Sequence, residues 1–215
     1  MKRILTREPI LAANDAAARA VRERLGAAGI FAVNLIGSPG SGKTTLLEAT
    51  VVALPGVRMG IIEGDLATDR DARRLAALGV PAVQLNTGSG CHLDAAMVLG
   101  ALERLPLVEL ELLFIENVGN LVCPAAFDLG EAAKAVVLSV AEGEDKPEKY
   151  APTFLRAQAV VVTKADLAPH VGVDPHRLAA SARAINPALV SFVVSARSGE
   201  GLDDWRGWLA AKGVE

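Results

Sequence analysis

Several classes of protein are excluded by features that this sequence lacks. The first three residues, MKR, are followed by TREP at 6–9, whose charges and proline interrupt any apolar region behind them. The start of the sequence therefore does not resemble a secretory signal. No uncharged apolar stretch is long enough to span a membrane. We therefore expect a cytoplasmic protein without a membrane partner. Only two cysteines occur, Cys91 and Cys123. In a reducing compartment a structural disulfide is not expected, which leaves metal binding, chemistry or plain burial for them.

The chain also lacks an excess of positive charge and has few aromatic residues. The formal net charge is −3, which gives no basic footprint and argues against a nucleic-acid partner. Aromatic residues make up 4% of the chain, whereas 51% of it is hydrophobic, mostly Ala, Val and Leu. This composition suits a parallel sheet covered by Ala- and Leu-rich helices. At 215 residues the chain is long enough for one α/β domain and short for two.

The most informative motif runs from Gly37 to Thr44 and reads GSPGSGKT. It fits G-x-x-x-x-G-K-T, the phosphate-binding loop (P-loop), and lies between a strand-like run and a helical stretch. Glycines let backbone N–H groups turn toward phosphate oxygens, and the helix N-terminus adds partial positive charge. Lys43 would reach the β- and γ-phosphates, and the Thr44 hydroxyl would bind Mg²⁺. We expect a nucleoside triphosphate to contact Gly37, Gly40, Ser41, Gly42, Lys43, Thr44 and Thr45.

Strand-like runs alternate with helical stretches along the chain. The pattern predicts a helix at about 8–28, strands at 30–36, 57–62, 81–85, 111–116, 135–140, 159–163 and 189–195, and helices at 43–53, 68–78, 91–104, 147–157, 174–185 and 202–212. This alternation predicts an α/β protein with the three-layer P-loop NTPase fold, in which a mostly parallel sheet of about seven strands carries helices on both faces. We expect residues 1–215 to form a single P-loop domain. Ligands of such sheets bind beyond the carboxyl ends of the strands.

Carboxylates follow two of these strands. Asp65 comes shortly after strand 57–62, and Glu116 closes strand 111–116. Mg²⁺ takes one or two carboxylates besides phosphate oxygens, so both are predicted to join Thr44 around the ion. Asp65 is also a candidate for orienting the attacking water, although a helix cap remains the alternative for it. Gly119 is expected to bring its backbone N–H to the γ-phosphate. Lys43, Asp65 and Glu116 are the candidate catalytic residues.

The residues at two later strand ends predict which nucleotide base the protein binds. The run TKAD at 163–166 is close to the guanine motif N-K-x-D, and SAR at 195–197 is similar to the S-A-K segment whose backbone supports guanine. Asp166 would accept hydrogen bonds from guanine N1–H and the 2-amino group, donors that adenine lacks. Thr163 replaces the usual Asn, so the contacts that Asn makes to the base and the P-loop are open. We expect guanine-side contacts from Thr163, Lys164, Asp166, Ser195, Ala196 and Arg197.

Together these motifs resemble the HypB family of hydrogenase nickel-incorporation GTPases. The resemblance extends from about residue 10 to residue 210 and is most specific at GSPGSGKT, EGDLATD, NTGSGCHL, ENVGNLVCP and EGEDKP. It implies a slow GTP-hydrolysing metallochaperone that assists nickel insertion into [NiFe]-hydrogenase and forms a homodimer on GTP binding. The hydrogenase large-subunit precursor and other nickel-insertion factors are its implied partners. The E-x-x-G run from Glu116, where most GTPases have D-x-x-G, is normal in the wider class.

The resemblance also implies a nickel or zinc site at Cys91, His92 and Cys123. Thiolate and imidazole suit both metals, and a two-fold dimer could complete the coordination. The alternative is two buried cysteines and a histidine that caps a helix. The first 90 residues contain neither Cys nor His. The N-terminal cysteine motif and the histidine-rich run of some relatives are therefore missing from them.

Three other functions remain open. A urease-type accessory GTPase is also a nickel factor, but it usually carries Cys-Pro-His where this chain has Cys123, Pro124 and Ala125. A small-molecule kinase could use the same P-loop, although the TKAD run argues against it. A non-catalytic assembly scaffold would hold its nucleotide without turnover, so measured GTP turnover separates it from a switch.

Overall fold

The structure, a computed structural model, describes residues 8–65, 74–75, 77–88 and 90–214. Within these ranges seven strands form one sheet. They are β1 Phe31–Ile36, β2 Met59–Asp65, β3 Ala82–Asn86, β4 Leu112–Glu116, β5 Ala133–Ser139, β6 Ala159–Thr163 and β7 Val190–Val193. The α-helices are α1 Glu8–Ala27, α2 Lys43–Ala53, α3 Ala95–Leu102, α4 Lys146–Lys149, α5 Ala151–Leu155, α6 Ala168–Val171, α7 Pro175–Ile185 and α8 Leu202–Ala210.

The sheet order is β3-β2-β4-β1-β5-β6-β7, and all neighbouring strands are parallel. Strand β1 therefore lies between β4 and β5. Strands β2, β3 and β4, which follow β1 in the sequence, lie on one side of it, and β5, β6 and β7 lie on the other side. A crevice opens where strand order reverses in this way, and ligands of open parallel sheets bind there. The P-loop follows β1 directly into this crevice.

Two helical layers cover the sheet, as its buried strands require. All residues of β5 and β6 are buried, which is the pattern of strands enclosed on both faces. On one face α2 and α8 pack Leu46, Leu47 and Trp205 against the strands. On the other face lie α1, α3 and α7, which contribute Val21, Val98, Leu178 and their neighbours. The prediction of a parallel α/β sheet with helices on both faces is confirmed.

Among the predicted elements that the structure describes, three differ most in their bounds. The helix predicted at 91–104 begins only at Ala95, because the Asp94 side chain accepts a hydrogen bond from the backbone N–H of Met97 at 2.8 Å and caps it. The helix predicted at 147–157 is divided at Tyr150 into α4 and α5. Pro152 explains the division, because it has no N–H with which to continue the helix. The predicted strand 57–62 lies at Met59–Asp65.

The remaining helix prediction, 68–78, lies mostly outside the described residues. None of the described helices combines the length and the apolar character that crossing a membrane requires.

Candidate functional site

The P-loop has the backbone geometry of an anion cradle. Gly40 and Gly42 have φ values of 76° and 94°, in the left-handed region that favours glycine. Gly42 is the residue before α2, so the loop ends at a helix N-terminus. At Gly37 the loop passes so close to β5 that an added Cβ would lie 2.5 Å from the carbonyl oxygen of Val137. Glycine is therefore required here for space and at positions 40 and 42 for conformation.

Lys43 is folded back onto this loop. It is 7% exposed, and its Nζ donates hydrogen bonds to the carbonyl oxygens of Gly37 at 3.2 Å and Ser38 at 3.4 Å. These are weak, long contacts for an ammonium group. Phosphate oxygens carry full negative charge and would compete well with them. The ammonium group thus lies against the carbonyl oxygens of the P-loop itself.

Carboxylates and a hydroxyl meet beside the loop in a cavity of about 460 Å³. Thr44 Oγ1 donates a hydrogen bond to Glu116 Oε1 at 2.8 Å. Asp65, the last residue of β2, lines the same cavity, and the residues that follow it, on which its alternative as a helix cap depends, lie outside the described ranges. Hydroxyl and carboxylate oxygens are the hard ligands that Mg²⁺ prefers, so the residues present fit that ion.

The segment after Glu116 rests on the P-loop. Gly119 comes so near that an added Cβ would be 2.9 Å from Pro39 Cγ and 3.0 Å from its backbone nitrogen. Asn120 forms an isolated antiparallel bridge with Gly37, the first glycine of the loop. Any movement of one segment must therefore displace the other.

A second cavity, of about 250 Å³, adjoins the first. The two share Gly42, Thr45 and Lys164. The second cavity is lined by Thr163, Asp166, Ala196 and Arg197, which are residues that the sequence assigns to the base. The two cavities therefore adjoin along these three shared residues.

Asp166 and Lys164 are held in defined positions at this second cavity. Asp166 Oδ1 accepts a hydrogen bond from the hydroxyl of Ser195 at 2.7 Å, and Ser195 itself is fully buried. Ser195 therefore orients the carboxylate from behind. Lys164 is the described non-glycine residue with positive φ, at 58°, and its Nζ donates to the carbonyl oxygen of Gly40 at 2.7 Å. Such backbone strain is often found where a side chain has to be aimed at a ligand.

Cys91 and His92 lie in the loop before α3. Cys91 is exposed, its Sγ is 3.5 Å from His92 Nδ1, and Cys123 is half-buried. A hydrogen bond with Cys123, and then burial, raise the pKa of the Cys91 thiol. Burial lowers the pKa of His92, although Asp94 opposes this. A neutral ring is the form that binds metal.

The described part of one chain does not close a metal site. Within the described ranges no three His, Cys, Asp or Glu side chains are grouped so as to hold an ion. The alternative of two buried cysteines and a helix-capping histidine does not describe the structure either. Cys91 is exposed rather than buried, and Asp94 caps α3 where His92 was the candidate. His92 instead stacks on Phe127, with ring centroids 3.9 Å apart.

Comparison with known proteins agrees with this geometry. Residues 31–192 match the family described as CobW/HypB/UreG, nucleotide-binding domain. The hydrogenase maturation factor HypB of Azotobacter vinelandii is 55% identical over 203 residues, which cover 94% of this chain and 67% of that protein. The chain belongs to the HypB family.

Two solved HypB structures are similar over nearly the whole chain. The factor from Archaeoglobus fulgidus superposes with a TM-score of 0.87 at 39% identity and covers 94% of this chain and 98% of that one. HypB from Helicobacter pylori, solved in complex with nickel, gives 0.88 at 39% identity and covers 93% and 94%. The H. pylori protein is named a hydrogenase/urease maturation factor. The P-loop NTPase fold expected from the sequence is that of the HypB family.

In this HypB chain the threonine at position 163 provides a contact that the sequence left open. Its Oγ1 lies 2.6 Å from the carbonyl oxygen of Ser41 and 3.1 Å from that of Leu138. The hydroxyl therefore links the end of β6 to the P-loop. Thr163 therefore connects β6 to the P-loop without the Asn of the usual motif.

Glu63 is one of three acids that follow the predicted strand 57–62, but no role was predicted for it. It is 3% exposed, stands opposite Glu116 in the register of β2 and β4, and lines the first cavity. Two buried carboxylates side by side are costly unless cations or donors face them. The signal was present, because Glu63 interrupts an otherwise apolar run, but the predicted strand ended one residue before it.

Proposed function

We propose that this chain is a GTPase whose nucleotide state controls a nickel site, and that residues 1–215 act as a single P-loop GTPase domain. The observation that supports it most is the continuity of the two cavities through Gly42, Thr45 and Lys164. One cavity offers loop N–H groups, an ammonium and carboxylates, and the other has the Asp166 carboxylate on its wall. A guanine nucleotide has complementary groups in the same order.

Replacing Asp166 with Asn tests whether Asp166 recognises guanine. The amide keeps an oxygen for the Ser195 hydroxyl but presents an N–H₂ group where guanine also has donors. GTP should then bind more weakly, and xanthosine triphosphate, which carries a carbonyl at C2, should bind better. Sites that pair a buried polar group with its ligand can discriminate by roughly 10⁴–10⁵, which is the upper limit expected. An unchanged preference in competition binding would refute guanine recognition by Asp166.

Hydrolysis would rely on the groups around the first cavity. Thr44, Asp65 and Glu116 would hold Mg²⁺, which supplies charge neutralisation at the phosphate oxygens. Lys43 would move from its own loop carbonyls to the phosphates, and Gly119 would offer its N–H to the γ-phosphate. Asp65 would orient the attacking water. We expect slow turnover, because Arg74, which lines this cavity, is engaged by Glu48 at 2.9 and 2.6 Å.

Nickel is the proposed cargo. Support comes from the HypB family membership and from the H. pylori relative solved with nickel. Cys91, His92 and Cys123 provide soft ligands for Ni²⁺ or Zn²⁺ at one surface. Because one chain offers three ligands and no closed site, a homodimer formed on GTP binding would share or complete the coordination. Delivery would be to a hydrogenase large-subunit precursor, together with other nickel-insertion factors.

Titration of Ni²⁺ and Zn²⁺ into the wild type and Cys91→Ala tests this part. Each titration is done with GDP or a GTP analogue bound while oligomer size is monitored. We expect the wild type to bind nickel with an affinity that depends on the nucleotide, and Cys91→Ala to lose that binding. His170→Ala is the matched control, because His170 is exposed on α6. Equal nickel affinity in both nucleotide states would refute a switch.

Urease is a second candidate recipient. The name of the H. pylori relative, which includes urease as well as hydrogenase, favours it. Nickel transfer to an apo-urease and to a hydrogenase precursor, measured side by side, distinguishes the two recipients.

A further inference from the structure

Asn117 occupies a buried position between the phosphate end of the site and the loop that carries Cys91 and His92. It follows Glu116 directly and is 1% exposed. Its Oδ1 accepts hydrogen bonds from the backbone N–H groups of Leu93 and Val118, both at 3.1 Å. Its own N–H donates to the carbonyl oxygen of Leu35 at 3.0 Å. One side chain thus fixes two chain segments to each other.

The Cys91–Leu93 loop is held at both of its ends. The Leu93 side chain packs against Gly64 so closely that an added Cβ there would lie 2.8 Å from Leu93 Cγ. At the other end, Asn120 Nδ2 donates to the carbonyl oxygen of Cys91 at 3.3 Å. Asn120 is also the residue whose backbone pairs with Gly37 of the P-loop. The loop is therefore bound to the strand ends that surround the phosphates.

A second series of contacts links Asn117 to His92 through Asn34, Glu131 and Lys134. Asn117 Nδ2 donates to Asn34 Oδ1 at 3.3 Å, and Asn34 Nδ2 donates to Glu131 Oε1 at 3.2 Å. Lys134 pairs with the same carboxylate at 3.1 Å and donates to the carbonyl oxygen of Phe127 at 2.8 Å. Phe127 is the ring on which His92 stacks. Asn117 is thus connected to His92 through this series of contacts as well as through Leu93.

These contacts are expensive to break one at a time. Asn34 and Asn117 are almost completely buried, so an amide that loses its partners keeps the full cost of its desolvation. Buried polar networks accordingly shift as units between arrangements in which all members are satisfied. A displacement of residues 116–120 should therefore carry the Cys91–Leu93 loop with it.

We propose that Asn117, assisted by Asn120, is a positioning residue that transmits the nucleotide state from the 116–120 segment to the Cys91–His92 loop. The inference rests on the proposed GTP switch. Contact of the γ-phosphate with Gly119 moves residues 116–120 against Pro39. The Asn117 amide then shifts Leu93, and the Asn120 amide shifts Cys91. Asn117 lines the first cavity, and its proposed role rests on its contacts with Leu93 and Val118 rather than on contact with nucleotide or metal.

The test needs no metal. Alkylation of Cys91 by N-ethylmaleimide is timed in a Cys123→Ser background, with GDP or with the analogue GTPγS bound. In the parent the two rates should differ, with a ratio in the ~5–150-fold range typical of coupled sites. Asn117→Ala should bring the ratio to about one, while GDP affinity stays within about threefold of the parent, as expected for a residue that acts on coupling.

Two further variants keep the test decisive. Asn120→Ala removes the half-exposed contact to Cys91 and should reduce the ratio even if Asn117→Ala fails to fold. Asn186→Ala is the matched control, because Asn186 also bonds backbone groups, at 3.0, 3.2 and 3.1 Å, but at the end of α7. Its ratio should equal that of the parent.

Equal rates with both nucleotides in the parent, or a parental ratio in both Asn117→Ala and Asn120→Ala, overturn the inference. A nickel titration on the same samples separates it from the proposed function. If nickel does not bind through Cys91 but the alkylation ratio depends on nucleotide and on Asn117, the nickel proposal fails and this inference stands.

Discussion

The Thr163 hydroxyl should be required for tight nucleotide binding, and Thr163→Val removes it with little change in shape. Valine keeps the β-branched form that suits β6, so the deleted group is the one that lies 2.6 Å from the carbonyl oxygen of Ser41. Thr163 is 5% exposed, so water is not expected to replace the hydroxyl. Leaving a buried acceptor unpaired costs about 1–3 kcal/mol.

This magnitude sets two measurable expectations. The melting temperature of the nucleotide-free protein should fall by about 2–4 °C for each kcal/mol in a chain of this size. If the P-loop shifts without this hydrogen bond, GDP binding has to return it to its position. The cost of about 1–3 kcal/mol then lowers GDP affinity by at most roughly 5- to 150-fold, because about 1.4 kcal/mol corresponds to a factor of ten.

Thr163→Ser is the matched control. It keeps the hydroxyl and loses one methyl group, so it should cost about 1 kcal/mol of stability through lost burial but leave GDP affinity unchanged. Thermal melts and fluorescent-GDP titrations of the three proteins separate the two effects. If Thr163→Val binds GDP as tightly as the wild type, the bond to Ser41 does not hold the P-loop.

Two further predictions concern the same site. Gly119→Ala should weaken GDP binding in a fluorescence titration, because the new Cβ would lie 2.9–3.0 Å from Pro39; Gly100→Ala on α3, where a Cβ meets nothing within 4 Å, should bind normally. Burial raises the pKa of Glu142, although Lys146, Ser38, Lys164 and Lys43 oppose it. The folded state then binds the proton more tightly than the unfolded state, so stability is lost as pH rises through the window above an ordinary glutamate pKa. Glu142→Gln should therefore raise the melting temperature at pH 8 more than at pH 4, and an equal change at both would contradict the reasoning.

Local patterns predicted most of the fold. Strands β1, β5 and β6 are mostly apolar runs, and the P-loop lies at the junction of a strand and a helix that the sequence already marks. The start of α3 was misplaced because hydrophobic spacing continues back through Leu93, and only the cap at Asp94 sets the boundary. Such a cap is a single side-chain contact, which periodicity does not register.

Contacts between distant segments could not be predicted from the sequence. Asn34 stands out as a polar residue inside an apolar strand, but its partners at positions 117 and 131 depend on strand register. The same applies to Thr163, whose contact with Ser41 spans 122 residues. Motif spacing indicates which groups are present, whereas sheet order decides which of them meet.

The residues proposed for base recognition and those proposed for the metal response lie on opposite flanks of β1. Asp166 and Ser195 belong to the β5–β7 half, whereas Cys91, Asn117 and Asp65 belong to the β2–β4 half, with the P-loop between them. Base preference and metal response should therefore be separable traits. A lineage, or a protein engineer, could exchange the base that is recognised without disturbing the cargo response, or alter the cargo ligands while keeping GTP as the signal.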